Sequence, residues 1–162
     1  KSPDAGRSVQ GWVDVLNRQT QLIGELVKGA KSKQEAILSG DRVRLEQATT
    51  QETELLIKTD GVEGERIALT KQLLGGEGTL EEVLENLPLD GRQSVEESSA
   101  SLIEAIEELQ RLNHLNANLL QHSLGHVQAV LGALTGEGTD TGSYGPGSGR
   151  MNRPQSMLDW RA

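Results

Sequence analysis

Cysteine is absent from the 162-residue chain, and so is phenylalanine. Without cysteine there are no disulfides, thiolate metal ligands or cysteine nucleophiles, which fits a reducing compartment. Aromatic residues make up only 2% of the sequence, so a core has to be built from Leu, Ile, Val and Ala. This composition favours helices packed on helices, because sheets are normally enriched in β-branched and aromatic residues.

Positive charge is also scarce, with 16 Lys and Arg against 24 Asp and Glu and a formal net charge of -8. Nucleic acids and anionic membrane surfaces attract clustered basic residues, so neither is an expected partner. No apolar run approaches the roughly 18 residues of a membrane span, and the N-terminus shows no signal peptide. We therefore expect a soluble cytoplasmic protein without membrane insertion; whether Lys1 is the native start stays open.

Catalytic and metal-binding motifs are missing as well. His122 and His126 lie one helical turn apart, a spacing that can hold zinc, but no third ligand is identifiable and the Glu of an H-E-x-x-H motif is absent. The glycines of residues 145–149 lack the Gly-Lys-Ser/Thr of a phosphate loop. The prediction is no enzyme, no cofactor and no metal; a metal-binding helical bundle using His114, His122 and His126 is kept as an alternative.

Apolar residues instead follow helical spacing. Residues 8–38 carry a seam that alternates steps of four and three, as expected for a helix facing a partner helix. Ser39-Gly40-Asp41 then predicts a tight reversal into an antiparallel second helix, closed by Gly75-Gly76. Polar residues interrupt the second seam, which runs Leu45, Ala48, Glu52, Leu55, Thr59, Val62, Arg66, Leu69, Leu73.

A connector and the longest helix follow. Thr79 and Glu82 have the spacing of a capping box for a short helix, which Pro88 and the Asp-Gly at 90–91 are expected to stop. A second box, Ser94 with Glu97, predicts the longest helix from about Val95 to Leu134. At about 60 Å it is long enough to pack against both earlier helices and overhang them.

Two asparagines on the seam of this helix leave two interpretations open. Buried amides demand hydrogen-bond partners. Asn113 and Asn116 are therefore either register-setting residues inside the bundle or part of a stretch that is only partly covered and offered to a partner helix.

The predicted architecture is all-α, an antiparallel bundle of three long helices plus one short connector helix in residues 1–135. Residues 136–162 are predicted to be a Gly-rich linker and a C-terminal recognition tail, since six of the fifteen residues 136–150 are Gly. The tail contains Tyr144 and Trp160, two of the three aromatic residues of the chain. Aromatic side chains supply large contact areas, so they are predicted anchors for a partner.

Several stretches resemble the FlgN-type flagellar export chaperones. Leu-Ser-Gly-Asp-Arg-Val-Arg-Leu at 38–45, Gln-Glu-Thr-Glu-Leu-Leu at 51–56 and Glu-Gly-Glu-Arg-Ile at 63–67 resemble the second helix of that family. Leu-Asn-His-Leu-Asn-Ala-Asn-Leu-Leu at 112–120 is similar to its Asn-rich last helix. Tyr-Gly-Pro-Gly at 144–147 and Ser-Met-Leu-Asp-Trp-Arg-Ala at 156–162 are similar to its tail.

The resemblance implies a cytoplasmic type III secretion chaperone that holds the hook–filament junction proteins FlgK and FlgL unassembled and delivers them to the export gate. Family tails dock on the gate protein FlhA through a Tyr in a Gly-containing loop, which corresponds to Tyr144 with Gly145 and Gly147. The alternatives are a structural coiled-coil adaptor or a secretion chaperone for other clients, and a homodimer in crystals is possible. We expect client contacts from Asn116, Leu119, Leu120, Leu124, Val127, Leu131, Leu158 and Trp160.

Overall fold

The computed structural model describes residues 3–135, with side chains from residue 9 onward. These residues form four helices: α1 Pro3–Ser39, α2 Arg42–Leu74, α3 Leu80–Asn86 and α4 Leu89–Thr135. No strand occurs in residues 3–135. The predicted bundle of three long helices and a short connector helix is confirmed, whereas the predictions for residues 136–162 lie outside the described residues.

The predicted helix boundaries between α1 and α3 are confirmed by local backbone chemistry. Gly40 and Gly75 adopt left-handed conformations with φ of 69° and 79°, which L-residues with a Cβ rarely tolerate. Asp41 caps α2, its Oδ1 accepting the backbone N–H of Arg44 at 3.0 Å. Thr79 and Glu82 form a reciprocal capping box at the start of α3.

The start of α4 differs from the prediction. The helix begins at Leu89, so Ser94 and Glu97 lie in its interior and the predicted capping box at those residues is wrong. Pro88 precedes a helix start, where its missing N–H costs nothing, and its carbonyl accepts the N–H of Gly91 at 3.0 Å. A Cβ at Gly91 would overlap the side chain of Val9, so this glycine permits close packing of α4 on α1 and does not stop a helix.

Helix α1 is the centre of the bundle. It runs antiparallel to α2, as ion pairs show at two points: Arg18 with Glu65 at 2.8 Å and Lys33 with Glu52 at 3.4 Å. It runs parallel to α4, because Val9 lies against the start of α4 and Ala30 accepts a hydrogen bond from Asn116 farther along. Although α4 is long enough to reach both earlier helices, it packs on α1, and over their described lengths α2 and α4 do not approach each other closely.

The large side chains of the core lie near the end that α3 covers. Trp12 and Leu16 of α1 are fully buried there, together with Val83 of α3 and Val95 of α4. Towards the opposite end, the buried positions of α1 and α2 are occupied by alanines: Ala30, Ala36 and Ala48. Short side chains bury less apolar area, so the core becomes thinner in the direction in which α4 runs.

The buried face of α2 is polar, which explains its interrupted seam. Thr59 and Thr70 are buried, and each hydroxyl donates to the carbonyl four residues earlier, at 2.8 and 3.0 Å. Glu63 and Arg66 form a buried ion pair, with a 2.6 Å contact between Glu63 Oε1 and Arg66 Nη2. Glu63 also accepts a 2.6 Å hydrogen bond from Gln19 of α1. Of these buried contacts, the Gln19–Glu63 hydrogen bond joins α1 to α2, and the others satisfy polar groups within α2.

Glycines inside the helices give a stability prediction. Gly64 is exposed on α2 and nothing lies within 4 Å of the place where a Cβ would stand. Gly64→Ala should raise the free energy of unfolding by about 0.5–1 kcal/mol, because alanine loses less backbone entropy in a helix. Urea unfolding measures this change. Gly91→Ala is the matched control and should lower stability by about 1–3 kcal/mol through overpacking; equal effects of the two substitutions would contradict the packing described here.

Candidate functional site

The buried face of α4 ends well before the helix does. Buried residues recur from Gly91 to Asn116, and none of the side chains from 117 to 135 is buried. We refer to residues 117–135 as the α4 extension. It is 19 residues long, which corresponds to about 28 Å of helix. The predicted seam continues through this stretch, but the bundle does not cover it.

The α4 extension carries a row of aliphatic side chains on one face. We call this row the α4 stripe; it consists of Leu120, Leu124, Val127, Leu131 and Leu134. Its members are spaced alternately four and three residues apart, the spacing of a and d positions in a coiled coil. Leu124 is 57% exposed, Leu131 54% and Leu134 78%. A contiguous row of exposed large aliphatic residues marks an interaction surface.

Formal charge is missing around the stripe. No Asp, Glu, Lys or Arg occurs in residues 112–136, although a quarter of the chain is charged. The last charged residue before this stretch is Arg111, which pairs with Glu108 at 2.8 Å; its hydrogen bond lowers the pKa of the Glu108 carboxyl. The positions beside the stripe are occupied by Gln121, Ser123, Gln128 and Val130. Charged residues at such positions select the partner in many coiled coils, and the flanks of the α4 stripe carry none.

The sequence-predicted client contacts occupy different environments. Leu120, Leu124, Val127 and Leu131 are exposed on the α4 stripe, and Leu119 is half-buried beside it. Tyr144, Gly145, Gly147, Leu158 and Trp160 lie outside the described residues. Val130 and Leu134 are also exposed on this part of α4, although they are not among the predicted client contacts. The uncharged interval of residues 112–136 is a sequence signal that includes both residues, because it ends beyond Leu134.

Asn116 has a structural contact inside the bundle. The residue is 3% exposed, and its Nδ2 donates to the backbone carbonyl of Ala30 at 2.9 Å. Of the two interpretations given for the seam asparagines, Asn116 fits the register-setting one, because its amide fixes how α4 lies along α1. Asn113, in contrast, is exposed. The boundary between the covered and uncovered parts of α4 falls directly after Asn116.

A second apolar surface lies along α1 and α2. Two adjoining clefts of about 350 and 420 Å³ share Glu25 and Lys58 in their walls. Leu26 and Leu55 contribute apolar area to the first cleft, and Leu22 and Val62 to the second. Both clefts are rimmed by residues of both charge signs, so their electrostatics favour neither an acidic nor a basic partner.

The three histidines of the chain all lie on α4. His114, His122 and His126 are exposed on α4, and within the described part of the chain no three His, Asp or Glu side chains are grouped to hold a metal ion. Among the helices of residues 3–135, none combines the length and apolarity required to cross a membrane.

Comparison with protein families matches residues 8–152 to the FlgN family, described as FlgN protein. The chain belongs to the FlgN family. The match confirms the resemblance found in the sequence, and it makes this protein a flagellar export chaperone in general terms; FlgN proteins are chaperones and not an enzyme family. Neither curated proteins nor solved structures show a match to the chain.

The FlgN match includes all four helices except the first residues of α1 and extends through Tyr144. Leu158 and Trp160 lie beyond the matched range. The α4 stripe and the predicted gate-binding residues thus fall inside the part of the chain that defines FlgN membership, whereas the last apolar residues of the tail do not.

Proposed function

We propose that this FlgN-family protein binds the terminal helices of FlgK- and FlgL-type junction proteins in the cytoplasm. Binding keeps these clients from assembling early, and the complex is delivered to the export-gate protein FlhA. The observation that carries the proposal is the uncovered α4 stripe. An amphipathic client helix can pair with it through residues spaced i, i+3, i+4 and i+7.

The stripe fits a client that has to be released later. Burying an aliphatic side chain completely is worth about 1.5–3 kcal/mol, and the stripe residues are already partly covered. Five such residues and their counterparts on the client would contribute on the order of 5–10 kcal/mol. Association itself costs an estimated 4–15 kcal/mol in lost motional freedom. Because these two ranges overlap, the stripe alone would give only a weak complex, and contacts with Leu119, Leu158 and Trp160 are needed to reach a moderate affinity.

Direct titration of the purified chain with a FlgK- or FlgL-type junction protein tests client binding. We expect binding by the intact junction protein and none after its terminal helices are deleted. Because no charged residue lies in the α4 extension, the dissociation constant should change little with ionic strength. Equal binding of the intact and deleted forms would contradict the proposed helix recognition, and a strong salt dependence would place the contact elsewhere.

Binding to the export gate is assigned to Tyr144 with its neighbours Gly145 and Gly147. Tyr144→Ala should weaken binding to FlhA by about 30-fold, the loss of an aromatic hot spot worth about 2 kcal/mol. Affinity for the junction protein should not change. Tyr144→Phe retains the ring and serves as the control for contact area. Loss of client binding with intact gate binding would reverse the assignment.

The uncharged flanks of the stripe also suit a coiled-coil adaptor or a chaperone for other clients, since they impose no charge code on a partner. Pairing of two copies would use the same surface. Recovery of the chain from cells with a hook-associated protein bound would favour the export chaperone, and recovery with a cytoskeletal or unrelated secreted partner would favour the alternatives.

A further inference from the structure

We infer that in the free protein the C-terminal segment 151–160 folds back and covers the α4 stripe until a partner helix displaces it. The displacement rests on the proposed function. The intramolecular contact does not, because it concerns the chain without any client.

The α4 extension has a physical reason to be covered. Most helical stability in proteins comes from the packing of an apolar face and not from intrinsic propensity. The five stripe residues are exposed, and no side chain of residues 117–135 is buried by the bundle. A segment that covers the stripe would therefore stabilise both the apolar surface and the helix that carries it.

The tail is attached at the right place. The described helix ends at Thr135, directly after Leu134, so the chain that follows starts at one end of the stripe. Six of the fifteen residues 136–150 are Gly, and a flexible chain of that length and composition has a root-mean-square span of about 21 Å. The stripe from Leu120 to Leu134 is also about 21 Å long, at 1.5 Å per helical residue. A linker matched to the span gives an effective concentration of order mM.

The composition of the segment suits the stripe. Met151, Met157, Leu158 and Trp160 are large apolar residues within ten positions. Methionine adapts to irregular aliphatic surfaces, and tryptophan contributes a large contact area. The single Arg and Asp of the segment, Arg153 and Asp159, cancel in charge, and the stripe carries no charge that would repel either. The α1–α2 clefts, which have charged rims, are a poorer match.

A second copy of the chain is the competing occupant. Its stripe has the same apolar pattern and the same lack of charge, so two extensions could pair. At micromolar protein concentration, however, a tethered segment at millimolar effective concentration has an advantage of about a thousandfold. Covering by the tail is therefore favoured over self-association at equal intrinsic affinity.

Hydrogen exchange on the full chain without client tests the inference. With millimolar effective concentration and an isolated-segment Kd of about 0.1 mM, exchange in residues 117–135 should be about tenfold slower in the wild type than in Leu158→Ser/Trp160→Ser. Asn152→Ser is the control and should leave the wild-type rates unchanged. Equal exchange in the wild type and the double variant would overturn the inference, as would protection that rises with protein concentration, which indicates a second copy.

Iodide quenching of tryptophan fluorescence provides a second measurement. Trp12 is fully buried, so quenching in the native protein reports on Trp160. We expect weak quenching of the wild type and strong quenching after Leu124→Ser/Leu131→Ser, which removes the surface that Trp160 covers. Strong quenching of the wild type would contradict the contact. Absence of junction-protein binding alone would refute the proposed function and leave this contact unaffected.

Discussion

Replacing Leu124 and Leu131 together by glutamate is expected to abolish binding of a client helix. Both residues lie at the middle of the α4 stripe and are more than half exposed. A client that docks there would bury two unpaired carboxylates, each at a cost of several kcal/mol. The affinity should fall by at least about a thousandfold, equivalent to roughly 4 kcal/mol. Titration calorimetry with the junction protein measures the loss.

The same double variant should leave the bundle intact. The α4 extension contains no buried side chain, and leucine and glutamate have similar helix propensities. Urea unfolding should therefore change by no more than about 0.5 kcal/mol when it is compared in the Leu158→Ser/Trp160→Ser background, in which the tail contact proposed above is already removed. A larger loss would mean that the stripe contributes to folding, and the binding result would then no longer report on the surface alone.

Helix α2 offers a matched control for this experiment. Leu56 and Ile57 are exposed aliphatic residues, at 48% and 68%, on a different helix. Leu56→Glu/Ile57→Glu introduces the same two charges and should leave client binding unchanged. If the α2 variant lost binding and the α4 variant kept it, the client site would lie on α2 and the proposed role of the stripe would be wrong.

Local features of the sequence were sufficient to predict most of the fold. The turn at Gly40 and Asp41, the left-handed Gly75 and the Thr79–Glu82 capping box depend on neighbouring residues only, so their chemistry is readable without tertiary structure. The weak seam of α2 was also recognised. The physical basis of the weak seam is a buried face with an ion pair and two threonines. This face cannot be predicted from the sequence, because it depends on which residues of α1 lie opposite.

Features that depend on packing between helices were not predictable. In the sequence, Gly91 follows Asp90 and is typical of a helix end. In the structure it lies inside α4, where the lack of a Cβ makes room for Val9. The spacing of apolar residues in α4 is the same whether a stretch packs on α1 or is left uncovered, so the seam alone could not show that covering ends after Asn116. That boundary follows from the register between α1 and α4, which the hydrogen bond from Asn116 to Ala30 reveals.

The second large effect concerns the polar interface between α1 and α2. Glu63 accepts hydrogen bonds from Gln19 at 2.6 Å and from Arg66 at 2.9 and 2.6 Å, and all three residues are buried. Glu63→Ala removes the carboxylate that accepts two hydrogen bonds from the buried Arg66 and one from Gln19. Breaking a buried pair in this way costs about 3–5 kcal/mol. Since domains are stable by only about 5–15 kcal/mol, urea unfolding should show a large part of the stability lost.

Two further variants separate the charge effect from loss of volume. Glu65→Ala breaks the Arg18–Glu65 pair, in which both side chains are about half exposed, and should cost no more than about 1 kcal/mol. Gln19→Leu/Glu63→Leu/Arg66→Met replaces the ion pair and the amide that donates to it by apolar side chains of similar size, and it should recover most of the stability because no buried polar side chain is then left without its partner. If Glu63→Ala and Glu65→Ala destabilised the protein equally, the Glu63–Arg66 pair would be solvated and the α1–α2 interface would not be closed over it. Full recovery in this apolar variant would show that the buried polar group contributes little net stability.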